Sequence, residues 1–223
     1  MGIAILGTGT VGRTLAERLA ELGRPVVLGT RDPDATRARE VGTASFQAWL
    51  DARPGIEVAT FAEAAASAPE LVIHAASGAS AIEVLLAAGR DNLAGKVLLD
   101  VSNPLDFSHG FPPRLFTDST DSLAERIQAA FPEARVVKSL NTMNADLMVR
   151  PATLADGAHS VFVSGGDAAA KALVSDLLRQ FGHTDVIDLG GLDTARGTEL
   201  YLPLWLRLFG AFGHAGFNIR VVR

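Results

Sequence analysis

Short runs of consecutive apolar residues alternate along this chain with stretches whose apolar positions recur every three or four residues. Ile3–Leu6 is a continuous apolar run, the pattern of a strand buried on both faces. Val11, Leu15, Leu19 and Leu22 follow at helical spacing, and Gly23 supplies a stop. The same alternation predicts strands at 25–28, 56–60, 71–75, 96–101, 135–140, 161–164 and 184–189. Helices are expected from Phe61, over Ser80–Ala88, and through Leu123, Ile127 and Phe131 with Asp121 as N-cap. Another runs through Leu173, Val174, Leu177, Leu178 and Phe181 to Gly182. Strands alternating with helices imply right-handed crossovers and an α/β fold, a Rossmann-like doubly wound, mostly parallel sheet. After Gly191 the texture changes. Leu200–Phe217 is rich in leucine and aromatics and reads as a small C-terminal helical region with a break near Pro203.

The turn after the first strand carries the first candidate chemistry. Gly7-Thr-Gly-Thr-Val-Gly12 lies between a strand and a helix, the context in which this spacing binds a dinucleotide. Gly7 permits the tight turn, Gly9 lets backbone approach a pyrophosphate, and Gly12 lets helix and strand pack closely. Thr8 and Thr10 add hydroxyl donors, and the helix N-terminus offers free amides at the positive end of its dipole, with Val11 in that first turn. At the end of the second strand stand Thr30 and Arg31, with no acidic residue to hold a free ribose hydroxyl. A guanidinium there can fork onto a phosphate monoester, which specifies NADP over NAD. Asp32 reads as the cap of the next turn and Arg37 as a helix-surface residue.

The other strand ends also face the crevice, because ligands of open α/β sheets lie beyond the carboxyl ends of strands. Ala76 and Ser77 are small enough to let a ribose and nicotinamide pass. Asn103, Asn141 and Asn144 offer amides at the reacting end, although asparagine also closes turns with no further role. These readings divide the chain into a dinucleotide-binding domain over 1–140 and a smaller region over 141–223 that completes the acceptor site.

Composition narrows the classes. Among 223 residues 48% are hydrophobic, the formal net charge is -5 and cysteine is absent. Scattered Lys and Arg without a basic stripe argue against a nucleic-acid partner. Arg207 and His214 interrupt the longest apolar stretch, so no membrane span is expected. Absence of cysteine removes disulfides and thiolate nucleophiles and suits a cytoplasmic location. The five histidines make no metal-ligand pattern: His74 reads as packed within a strand, His109 as a loop residue able to reach the crevice, and His159, His183 and His214 as loop or surface positions.

The glycine motif, Gly29-Thr30-Arg31, Ser102-Asn103-Pro104, Val136–Met143 and Leu192–Arg196 together resemble the coenzyme F420-dependent NADP oxidoreductase family. The likeness covers most of the chain, and 136–143 with Arg196 is its more specific part. The reductase domain of STEAP-type metalloreductases is similar and also carries an Asn-Thr after this strand. The resemblance implies hydride transfer between NADPH and the deazaflavin F420, or a flavin, stacked in the crevice. It implies that Thr8, Gly9, Thr10, Val11, Thr30 and Arg31 hold NADP, that Ala76, Ser77, Asn103 and Asn141 flank its ribose and nicotinamide, and that Met143 lines the acceptor face. Asn141 and Met143 are thus the candidate reacting-end residues. It also implies a C-terminal region that completes the acceptor site and a homodimer, for which Trp205, Phe209 and Phe212 supply an aromatic face. The rival readings are a non-catalytic NADP(H)-sensing protein and a reductase of a small carbonyl or imine.

Overall fold

The computed structural model describes residues 2–223. Eight strands form one sheet: β1 (Ile3–Leu6), β2 (Val26–Thr30), β3 (Ile56–Thr60), β4 (Leu71–His74), β5 (Val97–Asp100), β6 (Arg135–Ser139), β7 (Ser160–Gly165) and β8 (Asp185–Gly190). Their spatial order is β8-β7-β6-β5-β4-β1-β2-β3. All neighbours run parallel except β6 and β7, which are antiparallel. The chain leaves β1 in one direction toward β2 and β3, then returns past it to β4. Between β1 and β4 the connections diverge, which opens a crevice beyond the strand ends. Strands β7 and β8 belong to the same sheet as the other six.

Both faces of the sheet are covered, which is why its strands are apolar runs rather than alternating ones. One layer packs Leu15, Leu19, Val174, Leu178 and Phe181 against Ile5, Leu28, Leu99 and Val137. The other packs Ala64, Ala65, Leu85, Ile127 and Phe131 against Leu6, Val72, Leu98 and Val136. Among the described residues no helix is long and apolar enough to cross a membrane.

Local chemistry sets the helix starts, and Asp32 caps as expected by accepting from Ala35 N at 2.9 Å. One expected cap shifts by a residue. Ser122 Oγ accepts from Glu125 N at 3.1 Å, whereas Asp121 pairs with Arg126. A hydroxyl nearer the first turn displaces the carboxylate from the capping role. The C-terminal stripe is two helices, Ala195–Leu200 and Leu202–Phe212. The break lies at Tyr201, and Pro203 sits in the first turn of the second helix, where its missing N–H costs nothing.

His159 and His183 are not surface residues; both are 3% exposed. Their rings meet edge to face with centroids 6.2 Å apart. His159 Nε2 donates to the Pro151 carbonyl, and Asn218 donates to its Nδ1 at 2.8 Å. His183 Nε2 donates to the Met148 carbonyl at 3.0 Å. The pair ties Met148–Pro151 to the layer beneath β8. Burial, with a contribution from His159, pushes the His183 pKa down to about 4.

A depressed histidine pKa means that the unfolded chain binds the extra proton first. Stability from His183 is complete above the unfolded value near 6.5 and is lost as pH falls toward 4. Between pH 7.5 and pH 5 this one group is expected to remove about 2 kcal/mol. Urea midpoints at the two pH values, compared for the native protein and His183→Gln, measure it. The native protein is expected to show the steeper decline, and equal declines contradict the assignment.

Candidate active site

The glycine turn follows from crowding. Gly7 has φ +130, and a Cβ there would lie 2.7 Å from the Ala75 carbonyl carbon at the end of β4. A Cβ on Gly12 would lie 2.1 Å from the Gly7 carbonyl oxygen. Only hydrogen fits at both, so the turn, the first helix (Thr10–Glu21) and the β4 end close on one another. Gly9 stands at the N-cap without a side-chain partner, which leaves the first-turn amides of Thr10, Val11 and Gly12 unpaired and directed out of the helix. Gly9 and Thr10 are exposed, and Val11 lines the crevice. A cradle that side chains would fill, with free amides at a positive dipole end, fits a pyrophosphate.

Three guanidiniums surround the far side of this turn. Thr8 is buried, and its carbonyl accepts from Arg13 Nη1 at 2.9 Å and Arg39 Nη2 at 2.7 Å. Partial burial and then the Arg39 charge hold the Arg13 guanidinium below its ordinary range. Two cations held together on one carbonyl make a local positive field next to the amides. Arg31 is exposed and pairs with Glu83 Oε1 at 2.6 Å. Glu83 lies on the helix after β4, so this pair bridges the β2 and β4 sides across β1. Both partners are largely solvated, so the pair exchanges readily for a stronger anion. Thr30 is buried and shares its hydroxyl with Thr36 at 2.8 Å, shaping the loop beneath Arg31. Arg37 reaches back to the Val58 carbonyl. Sequence reading missed Arg13 and Arg39. Arg13 had a signal, one helical turn beyond Thr10; Arg39 had none, since it reaches Thr8 from the end of the short helix Pro33–Ala38.

Beyond the β1, β4, β5 and β6 ends lies a cavity of about 420 Å³. Ala76, Ser77, Asn103, Asn141, Met143 and Asn144 all line it, as do Val11, Phe107, Met148, Leu202 and Trp205. The first helix, three strand ends and the last helix therefore meet around one slot. No ionisable side chain is among its lining residues.

Asn103 and Asn141 hold each other. Asn103 Nδ2 donates to the Asn141 carbonyl at 2.8 Å, and Asn141 Nδ2 donates to Asn103 Oδ1 at 3.0 Å and to the Thr198 carbonyl at 3.1 Å. Leu140, just before, has φ +64, a left-handed conformation that a buried leucine adopts only when its surroundings impose it. That twist turns Asn141 from the sheet into the crevice. Asn144 is less available, since its amide donates to Ala215 and its oxygen caps the next short helix at Leu147 N. A Cβ on Gly78 would lie 2.1 Å from the Asn103 carbonyl, so this glycine sets how closely the β4 and β5 ends approach. His109 is exposed and does not line the slot.

Beneath the slot is a charge network that the sequence reading did not find. His74, Asp100 and Lys138 are cross-strand neighbours at the same level of β4, β5 and β6. All three are fully buried. Asp100 Oδ1 accepts from His74 Nδ1 at 2.9 Å, from Ser102 N at 3.1 Å and from Ser102 Oγ at 2.7 Å. Lys138 Nζ donates to Asp100 Oδ2 at 2.7 Å, to the Ser102 carbonyl at 2.6 Å and to Glu199 Oε1 at 2.9 Å. Burial opposes the charge on Asp100, but Lys138 and His74 outweigh it and hold the carboxyl far below its usual range. Burial likewise opposes the charge on Lys138, and Asp100 and Glu199 outweigh it and raise its pKa. A charge at the same position in three adjacent apolar strands was the available signal.

A dinucleotide cradle with an uncharged slot at its open end defines a nicotinamide-dependent oxidoreductase. The family model for NADP oxidoreductase, coenzyme F420-dependent, matches residues 2–104. The F420-dependent NADP reductase of Methanothermobacter marburgensis is 30% identical over 93% of this chain and 92% of its own length. Metalloreductase STEAP3 of Rattus norvegicus is 34% identical over 91% of this chain, which spans 37% of that longer protein. A solved structure from Arthrobacter sp. FB24, described provisionally as an F420-dependent NADP-reductase, is 60% identical, covers 99% of both chains and superposes with a TM-score of 0.95. The chain belongs to the F420-dependent NADP oxidoreductase family.

A methyl on Gly78 must push Asn103 away while leaving the glycine turn in place. Gly78→Ala is expected to weaken NADPH binding about tenfold and that of 2′-phospho-ADP-ribose less than about threefold. Calorimetric titration of both ligands checks this, and equal weakening contradicts the division of the site into halves.

Proposed function

We propose that this protein transfers a hydride between NADPH and the deazaflavin F420, with a flavin as the second acceptor of the same shape. The observation that carries the proposal is the slot, large enough for a ring and bounded by Met143, Met148, Leu202, Trp205 and Phe107 with no acid or base among its lining residues. Reduction of a carbonyl or imine calls for a proton donor beside the substrate heteroatom. A hydride passed between stacked rings calls instead for alignment and exclusion of water.

The chain's own residues supply those two things. The amides of Thr10, Val11 and Gly12, with Gly7 and Gly9 clearing the approach, receive the pyrophosphate. Thr8 anchors Arg13 and Arg39 beside it, and Arg31 leaves Glu83 for the 2′-phosphate, on a loop that Thr30 holds. Ala76 and Ser77 leave room for the ribose. Asn103 and Asn141 fix the carboxamide end of the nicotinamide, and Met143 offers a polarizable surface to the acceptor ring. When bound, NADPH would supply the hydride, and the acceptor ring would take it together with one proton from solvent. The division into a dinucleotide-binding part over 1–140 and an acceptor-completing part over 141–223 describes these roles. The NADPH pool of the cytoplasm suits the reaction. Leu204 and Phe212, both more than half exposed beside the Trp205–Phe209 stack, support a homodimer contact on the last helix.

Anaerobic NADPH oxidation in the presence of F420, FMN, FAD or a cyclic imine tests the acceptor class. Turnover is expected with F420; turnover with the imine alone, or with no ring acceptor, contradicts the proposal. A charge-assisted pair of about 1.5–3 kcal/mol is expected to make NADPH bind at least about tenfold more tightly than NADH. Arg31→Ala is expected to erase most of that difference. Equal affinities in the native protein, measured by fluorescence titration, contradict the role of Arg31.

A further inference from the structure

Lys138 does not reach the slot, yet its ammonium joins two parts of the chain far apart in sequence. One goes to Asp100 at the end of β5, one to the Ser102 carbonyl in the loop that carries Asn103, and one to Glu199 in the C-terminal region. Glu199 is 1% exposed and also receives Leu123 N at 2.8 Å and Ala124 N at 3.2 Å, the first amides of the Leu123–Ala130 helix. The residue before it, Thr198, receives the Asn141 amide. Three residues beyond Glu199 lies Leu202, and Trp205 follows one turn later; both line the slot. One ammonium thus lies between the residues under the nicotinamide end and the wall facing the acceptor.

Resting on the hydride-transfer reading above, we infer that Lys138 is a positioning residue: through Ser102 it sets the Asn103–Asn141 pair, and through Glu199 it sets the Leu202–Trp205 wall, fixing the gap across which the hydride passes. The chemistry of the network supports a positional rather than a proton-transfer role. All three ammonium donors are used. Asp100 is fully buried and saturated by His74, Ser102 and Lys138. None of these groups faces the slot with a free proton. Hydride transfer depends steeply on a small separation, so a shift well under the length of a bond is felt in rate before it is felt in binding. The groups that fix NADPH affinity, the glycine turn and the arginines, lie at the β1 and β2 ends, three or more strands away from β6 and Lys138.

The test uses Lys138→Met combined with Glu199→Gln, which removes one cation and one anion and so keeps the net buried charge. Asp100 retains His74 and Ser102 as partners, and the new amide oxygen still accepts from Leu123 N, while the amide nitrogen replaces the oxygen that received Ala124 N and Lys138. Glu199→Gln alone, which retains the Lys138–Asp100 pair, is the milder variant. Expected for a folded variant are an NADPH dissociation constant within about threefold of native and a single-turnover hydride-transfer rate reduced at least about tenfold. The fluorescence lifetime of bound NADPH is expected to shorten, because the nicotinamide is held less firmly. A transfer rate within twofold of native overturns the inference. So does a loss of NADPH affinity equal to the loss of rate, or failure of both variants to fold, since either makes the network a structural staple. If the native protein turns over no ring acceptor, the acceptor proposal fails, and the lifetime alone decides this inference: an unchanged lifetime in the variants overturns it.

Discussion

The end of β1 is pressed so closely against its own helix and against β4 that two positions admit no side chain. A Cβ on Gly12 would collide with the Gly7 carbonyl, and one on Gly7 with Ala75. This contact sets the level at which the helix amides stand above the sheet, and hence where a pyrophosphate can lie. It also fixes the β4 end from which Ala76, Ser77 and Gly78 extend. Gly78 then meets Asn103, and Asn103 meets Asn141. The crevice is thus a series of backbone contacts running from β1 to β6, each needing a small residue or an amide at the point of closure.

Electrostatics divides along the same line. On the β2 side the chain gathers Arg13, Arg31 and Arg39, solvated or half-solvated, where a phosphate can displace weak partners. On the β5–β6 side the charges are fully buried and paired, and none lines the slot. A buried pair adds little net stability over an apolar packing, but removing one partner is costly, of order 3–5 kcal/mol. Its value here is geometric, since it ties the β5 end and the loop that follows it to the helix that carries Glu199. The slot above stays free of charge.

Much of the fold was legible because its signal is local. Short apolar-rich runs marked the eight strands, and the spacing of Val11, Leu15 and Leu19 marked the first helix. The glycine turn was legible because each glycine answers a steric demand a few residues away. What escaped depended on contacts distant in sequence. Arg39 reaches Thr8 across 31 residues, and Glu199 reaches the amides at 123 and 124 across more than seventy. His159 and His183, read as loop or surface positions, do lie in connecting segments but are buried by parts of the chain that no local pattern joins to them. The antiparallel placement of β7 is another such case, because an apolar run does not record its direction. The crevice residues 76, 77, 103, 141 and 143 were found by a rule of topology, since strand ends must line the crevice. The network beneath them left a trace in the sequence, an ionisable residue at one level of three neighbouring strands. Reading it required the strand order.

The account turns on direct passage of a hydride between two rings held in a slot that offers no proton. Deuterium placed on C4 of the dihydronicotinamide follows that passage without relying on rates or affinities. In water, with F420 as acceptor, the label is expected to arrive on the reduced deazaflavin ring carbon undiluted by solvent hydrogen, from one face of the nicotinamide only. Loss of the label to water, or its release from both faces, would contradict the account.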